Sequence, residues 1–400
     1  MSASEASACP IPHTEFDPYD ARLGEPGVWV AYTALQEAGG IAHSEKRGGF
    51  WMMSRYDEVR SALRDPDTFS SASGHRLPTD GTQASIPIDF DRPLHTDYRR
   101  VMTQAVSPPR VREMRPFLQR TIHDLLSAFH EGGGGDFVRL VGLPLPLQVL
   151  TELVGFSPDT VAQFRELTEA MWARVAVVDF AEARSEIATL MRHELAAHRR
   201  DRPDDFVTQL LAARVGKDDS RPLTEDEQAR ILTTFAVAGH ETTMNAASTL
   251  VHLLASDPDL QARLRADPSL APRFVEEMLR FRTPSQNFAR RTTCPVTVGD
   301  VEIPAGDAVL LSYAAANRDP VRFPDPDHFD PDRDARGHLA FGWGIHQCMG
   351  AALARAELVI LLESLCEYPP LHGAGPSAWG PLQGGNHLGL KRLPLHFEES

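Results

Sequence analysis

Phe341 to Gly350 reads Phe-Gly-Trp-Gly-Ile-His-Gln-Cys-Met-Gly, with three glycines around one cysteine. An apolar amphipathic run follows at once: Ala351, Ala352, Leu353, Ala354, Leu358, Leu361 and Leu362. No other stretch restricts the fold as much. Glycine accepts φ > 0 and lets a backbone come close to another group. The pattern predicts a glycine-rich loop feeding a helix whose first residues include Cys348. There the free N–H groups and the helix dipole favour a thiolate. Such a sulfur can be a nucleophile or a metal ligand. No second ligand stands nearby at zinc spacing, which disfavours an ordinary zinc site. The plainer role for an isolated cysteine is a small buried hydrophobe.

A second stretch breaks local rules. The pattern predicts a long helix from Glu225 through Ile231, Phe235, Leu250 and Leu254, opened by Thr224 and Glu227 at capping-box spacing. Its middle reads Ala238-Gly239-His240-Glu241-Thr242-Thr243. Glycine, an acid and two threonines oppose helix propensity there. Thr242 can turn its hydroxyl back to the Ala238 carbonyl and bend or widen the helix. An acid and an alcohol side by side suit proton transfer. His240 is expected to be a packed side chain.

Other motifs sit on elements of clear type. His95 and Arg99 are four apart and share one helix face, which suits an anion. Glu277 and Arg280, on a helix over Pro272–Phe281, are three apart and can pair. Helical spacing is also predicted over Pro26–Ala38, Arg55–Leu63 and repeatedly between Pro109 and Arg202. Gly132 to Gly135 reads as a loop, as do residues 65–90. Strands are expected at Phe50–Met53, over 283–312 and around Leu388–Phe397. The fold class is mainly α with small β-sheets (α+β). Arg110, Arg112 and Arg115 form a basic cluster, read as a solvated face or as a docking patch for an acidic electron donor.

The chain has 400 residues, 42% of them hydrophobic, enough for a sizeable core. No linker, repeat or low-complexity block divides it. The expectation is an irregular lead over residues 1–20 and one domain over 21–400. Forty basic against fifty-five acidic residues give a net charge of −15, which argues against non-specific nucleic-acid binding. Cys9, Cys294, Cys348 and Cys366 are scattered, without disulfide spacing, as expected in a reducing cytoplasm. Residues 1–20 have no apolar core, so neither a signal peptide nor a membrane span is expected there.

The run Phe-x-x-Gly-x-His-x-Cys-x-Gly resembles the haem-binding loop of the cytochrome P450 family, and Ala-Gly-His-Glu-Thr resembles that family's central-helix signature. The resemblance implies haem b held by the Cys348 thiolate as axial iron ligand, in a bacterial-type haem-thiolate monooxygenase. It implies a buried haem between the long central helix and the cysteine-loop helix. His95, Arg99, Arg290 and His346 would meet the haem carboxylates, although Arg291 leaves the register of Arg290 open. Phe341 and Gly350 would flank the sulfur. Ala238 would border the dioxygen pocket, and Glu241 with Thr242 would deliver protons. Glu277, Arg280 and Arg333 would form a buried ion network that positions the cysteine loop. Phe90, Phe235, Ala238, Pro284, Ser285, Gln286 and Leu388 are pocket candidates by position, with Gln286 and Asn287 as polar groups for an oxygenated substrate. The reaction implied is insertion of one dioxygen atom into a small, largely apolar molecule by hydroxylation, O-dealkylation or epoxidation. Electrons would come from NAD(P)H through a separate ferredoxin or flavodoxin-type donor and its reductase, to a monomeric, cytoplasmic protein. A peroxide-driven peroxygenase of the same fold, or a non-catalytic haem-binding sensor, are the alternatives.

Overall fold

The structure, a computed structural model, describes residues 13–78, 85–173 and 180–398. The first part of the lead, with Cys9, and residues 79–84 of the long loop lie outside the described residues. The helices, in chain order, are α1 (Gly27–Glu37), α2 (Tyr56–Arg64), α3 (Leu94–Thr103), α4 (Pro108–Glu131), α5 (Pro144–Val154), α6 (Pro158–Ala173), α7 (Phe180–Asp201), α8 (Phe206–Ala212), α9 (Glu225–Ser256), α10 (Pro258–Ala266), α11 (Ala271–Phe281), α12 (Tyr313–Ala316) and α13 (Ala351–Leu365). Helix α9 is the axis of the molecule, and α5, α7, α11 and α13 all pack on it. Its start is the capping box read from sequence: Thr224 Oγ1 accepts from Glu227 N, and the Glu227 carboxylate accepts from Thr224 N at 2.7 Å. Tyr98 and Arg221 also hold that carboxylate, so the first turn of α9 is tied to α3.

A five-stranded sheet stands beside the helices, in the order Ile41–Ser44, Phe50–Met53, Ala308–Ser312, Asn287–Thr292 and Phe69–Ser70. All neighbours run antiparallel except Phe50–Met53 with Ala308–Ser312, which are parallel. Ala308–Ser312 is buried along its whole length because both faces are covered. The described residues ahead of α1 are packed. Phe16 is 7% exposed, inside a core shared with Val28, Trp29 and Tyr32. Among the described residues no helix is long and apolar enough to cross a membrane.

One departure concerns the cysteine. Helix α13 begins at Ala351 with Gly350 as its N-cap, so Cys348 lies two residues ahead of the cap, outside the helix. The loop first makes a 3-10 turn over Gly344–His346 before releasing the chain into α13.

Helix α13 also buries an acid. Glu357 is 2% exposed and its Oε2 has no hydrogen-bond partner among the described residues. Burial raises its carboxyl from 4.5 to about 8, so the folded state holds a proton that the unfolded chain releases. That stability is complete below pH 4.5 and is lost as pH rises through about 8. Glu357→Gln removes the titration. The variant should gain on the native protein with rising pH, by roughly 1.4 kcal/mol per pH unit inside that window. Denaturant midpoints of the two proteins at pH 5 and pH 8 check this; a constant difference would contradict it.

Candidate active site

The cysteine loop is shaped by positive φ and by close approach. Gly342 has φ 63° and Gly344 φ 72°. A Cβ on Gly344 would lie 2.2 Å from the Leu63 carbonyl oxygen, so α2 touches the loop where only glycine fits. Cys348 N donates to Phe341 O at 2.8 Å, closing the loop on itself. Solvent reaches the Cys348 sulfur, yet protein surrounds it closely. Burial is accordingly the largest influence on the thiol and pushes its pKa up. The backbone N–H groups of Gly350 and Ala351, with the charges of Arg99 and Arg355, act in the opposite direction. The N–H donors expected of a helix start are thus present, although Cys348 itself stands before the helix. Gly350 has an ordinary φ of −80°, and a Cβ there would meet Cys348 Sγ at 3.9 Å.

Two ion networks hold this loop. In the first, Glu277 and Arg280 are fully buried and pair bidentately, Nε to Oε2 and Nη2 to Oε1, both at 2.8 Å. Arg333 Nε reaches the same Glu277 Oε1 at 3.2 Å. Arg280 Nη1 donates to the Asn317 carbonyl at 3.0 Å, and the Asn317 side chain accepts from Leu339 N at 2.6 Å. The network therefore ends two residues before Phe341. The second was not read from sequence. Glu276 accepts from Arg355 Nε at 2.6 Å and pairs with His338 Nε2 at 3.1 Å. Burial alone would raise the Glu276 carboxyl, but these two partners hold it near 2. His338 precedes the loop and Arg355 follows it, so one carboxylate of α11 clamps both ends. The Arg355 guanidinium also lies over the Phe341 ring, 4.5 Å from its centre.

Four donor side chains converge beside the loop. The His95 and His346 rings meet edge to face, 4.4 Å between centres. His95 is 2% exposed, and neither of its ring nitrogens has a hydrogen-bond partner among the described residues. Burial, then the charges of Arg99 and Arg92, depress His95 to about 4. Burial, then Arg290, His95 and Arg99, depress His346 to about 2. Arg290 is 4% exposed while Arg291 is exposed, which fixes the register. Arg99 donates to the Gln347 carbonyl at 2.6 Å, and Ser71 Oγ pairs with His346 Nε2 at 3.1 Å. Two cations, a partly exposed imidazole and the buried, unpartnered imidazole of His95 form a place for anionic oxygen. Haem, with its two carboxylates and a metal seeking an axial thiolate, fits this donor set.

Helix α9 faces the site with a stripe. Val237, Gly239, Glu241 and Thr242 are partly exposed and Ala238 is exposed, between buried runs on either side. The pairs Val237 with Glu241 and Ala238 with Thr242 are four residues apart, which places them on one side. Thr242 Oγ1 donates to Ala238 O at 2.7 Å, the contact read from sequence. Through this contact α9 runs as one continuous helix from Glu225 to Ser256. Gly239 has a packing cause instead, since a Cβ would come 3.1 Å from Leu150 of α5. Glu241 has neighbours that sequence reasoning missed. The Gln383 amide is satisfied with its nitrogen toward Glu241 Oε1 and its oxygen accepting from Lys391 Nζ at 2.9 Å. Burial raises the Glu241 carboxyl, against the charges of Arg76 and Lys391. His240 is packed, as expected: it is 1% exposed, edge to face with Phe164.

Several pocket candidates point elsewhere. Phe235 is 8% exposed and packs edge to face on Phe206, because it falls at the border of the α9 stripe. Leu388 is 3% exposed in the core with Phe16 and Trp29. Pro284 is buried, and Gln286 is fully buried with its amide donating to the Thr283 carbonyl. Asn287 is fully buried against the Tyr32 hydroxyl at 3.0 Å, so it is not free to orient a substrate. Phe90, Ala238 and Ser285 keep exposed surface. Ser285 Oγ pairs with His387 Nδ1 at 3.2 Å. In the basic cluster, Arg110 pairs with Glu113 and Arg115 with Glu363, which leaves Arg112 as an exposed cation between them.

Comparison with known proteins agrees with this geometry. The family description "Cytochrome P450" matches residues 150–368. Cytochrome P450 107B1 of Saccharopolyspora erythraea is 37% identical over 346 residues, 81% of this chain and 83% of that protein. Cytochrome P450 monooxygenase PikC of Streptomyces venezuelae is 34% identical over 359 residues, 87% of this chain and 85% of that protein. Among solved structures, the putative thioether synthase SgvP, involved in the tailoring step of griseoviridin, superposes with a TM-score of 0.85 at 31% identity, covering 98% of this chain and 100% of that one.

Proposed function

This chain belongs to the cytochrome P450 family, and from that premise we infer how its own residues divide the work. It is a monooxygenase acting on small organic substrates, with haem b as cofactor, dioxygen as co-substrate and electrons drawn from NAD(P)H through redox partners. We assign Cys348 as the axial ligand, because its sulfur is open, ringed by N–H donors and set on a loop clamped at both ends. His95, Arg99, Arg290 and His346 receive the haem carboxylates. Phe341 and Gly350 flank the sulfur, and Ala238 borders the opposite face. When bound, the haem supplies dioxygen binding and the thiolate's electron push toward O–O cleavage. The observation that carries this reading is the pair of orphan nitrogens on His95 beside Arg99, His346 and the cysteine loop. The test is the reduced carbon-monoxide spectrum of the purified protein: a red-shifted Soret band is expected, and its absence would overturn the assignment.

The proton-handling pair is Glu241 and Thr242. Burial keeps the Glu241 carboxyl protonated to higher pH than an exposed one, which suits an acid that must give up a proton near neutrality. Gln383 donates to that carboxyl, and Lys391 holds the Gln383 amide in turn. The Thr242 hydroxyl gives its own proton to Ala238 O and keeps its lone pairs open to a donor. Thr242→Ala removes that acceptor. Reducing equivalents should still be consumed, while product per equivalent falls severalfold and hydrogen peroxide rises. Comparing NAD(P)H oxidised with product and peroxide formed checks this; unchanged coupling would remove Thr242 from the relay. Because the pair is present, turnover with a reductase system should exceed turnover with peroxide alone.

The pocket is proposed to be largely apolar, lined by Phe90, Val237 and Ala238, with Ser285 as a polar point. The electron donor is proposed to be a ferredoxin or flavodoxin-type protein with its reductase. Support comes from the relatives' bacterial sources. A cytoplasmic location and a single domain over residues 21–400, after a lead over 1–20, belong to the same proposal. So does a monomeric state: among the described residues the exposed large hydrophobics are Val30, Leu94, Leu140 and Val321, which come from separate parts of the chain.

A further inference from the structure

We propose that His13, His43 and Glu45 form a binding site for a late first-row divalent cation of the zinc type, remote in sequence from every active-site residue. The ligand atoms of these three side chains all lie within 4.8 Å of one another. Their convergence follows from backbone geometry. His43 lies in the strand Ile41–Ser44, and Glu45 follows the strand as the cap of the 3-10 turn Lys46–Gly48, which brings its carboxylate to the His43 ring. His13 sits directly opposite His43 in a parallel bridge, secured by Thr14 N donating to His43 O at 2.9 Å. The two imidazoles stand nearly perpendicular, 6.3 Å between centres. Trp51, the register partner of His43 on the next strand, braces the His43 ring at 5.0 Å.

The donor set decides the cation. Two imidazoles and one carboxylate suit zinc, nickel or copper, whereas calcium and magnesium take oxygen ligands. Zinc bonds of about 2.0–2.1 Å in a tetrahedron require ligand atoms roughly 3.3 Å apart. His43 Nδ1 and Glu45 Oε1 already stand 3.2 Å apart. The remaining closure needs rotation of His13 and Glu45, both exposed and therefore free to turn. Three protein ligands leave a coordination position for water. The cation would tie the start of the described chain to the sheet across thirty residues, beside the point where Phe16 enters its core. Binding to the folded state alone would stabilise that attachment by mass action.

The test titrates zinc chloride alone into the haem-loaded full chain by calorimetry, beside His13→Ala and Glu45→Gln. Both substitutions are at exposed positions, and His43, which packs on Trp51, is left intact. One zinc per chain is expected for the native protein, with affinity at least tenfold weaker in each variant. Amide exchange at Thr14 to Phe16 should slow on zinc addition in the native protein alone. No saturable binding, or equal binding in both variants, overturns the proposal.

Discussion

Cys348→Ala is expected to give a protein that folds yet shows no red-shifted Soret band with carbon monoxide and no monooxygenase activity above background. The fold should survive because the loop is closed by backbone, Cys348 N to Phe341 O, and because the thiol fills no core position. What disappears is a sulfur on an exposed residue, faced by the N–H groups of Gly350 and Ala351. The other described cysteines provide the control. Cys366 packs with its sulfur toward the Leu362 and Leu264 carbonyls, and Cys294 is exposed on the sheet side of the chain. Neither has a donor ring of this kind, so Cys366→Ala and Cys294→Ala should keep the band. A thiolate spectrum retained by Cys348→Ala would move the axial ligand elsewhere and dissolve the site.

Glu277→Ala is expected to be the most damaging substitution for stability. It strips Arg280, itself fully buried, of both bidentate contacts. It also removes the acceptor of Arg333 Nε and of Asp330 N. Breaking a buried pair by removing one partner costs about 3–5 kcal/mol, because the other charge stays buried without compensation. That is a large share of the ~5–15 kcal/mol that holds a protein folded. For a chain of 400 residues it corresponds to a fall in Tm of roughly 5 °C. Haem retention should fall as well, since Arg280, Asn317 and Leu339 lead from the network to the cysteine loop. Arg280→Lys should not rescue, because an ammonium cannot reproduce a bidentate fork together with the carbonyl contacts to Asn317 and Pro326. Differential scanning calorimetry and the haem-to-protein absorbance ratio measure the two effects; an unchanged Tm would show the network to be dispensable.

Where sequence reading succeeded, the interactions were short in chain distance. The capping box spans Thr224 to Glu227, the buried pair Glu277 to Arg280, and the hydroxyl contact Ala238 to Thr242. Helix geometry alone puts such residues together, so their spacing announces them. Helical phase could also have corrected one error. Counting from Ala238 and Thr242 brings Val237 and Glu241 to the exposed stripe and leaves Phe235 at its border, where Phe206 covers it. Other misses had no local signal. Glu276 meets Arg355 across 79 positions, and Gln383 brings Lys391 to Glu241 from the far end of the chain. Gln286, Asn287 and Leu388 looked available by position but are buried by partners the fold brings in.

Sequence alone announced the family, and it offered Cys348, Glu241 with Thr242, and His95 with Arg99 as candidates through residue types at fixed local spacing, while Arg290 and His346 came from the resemblance. Tertiary structure decided which of those groups face open space, that Cys348 stands ahead of its helix, and that Gly239 is pressed against Leu150. The physical reason is the range of the forces involved. Capping, pairing and backbone freedom act within a turn or two, whereas exposure and charge balance depend on neighbours that only chain closure supplies.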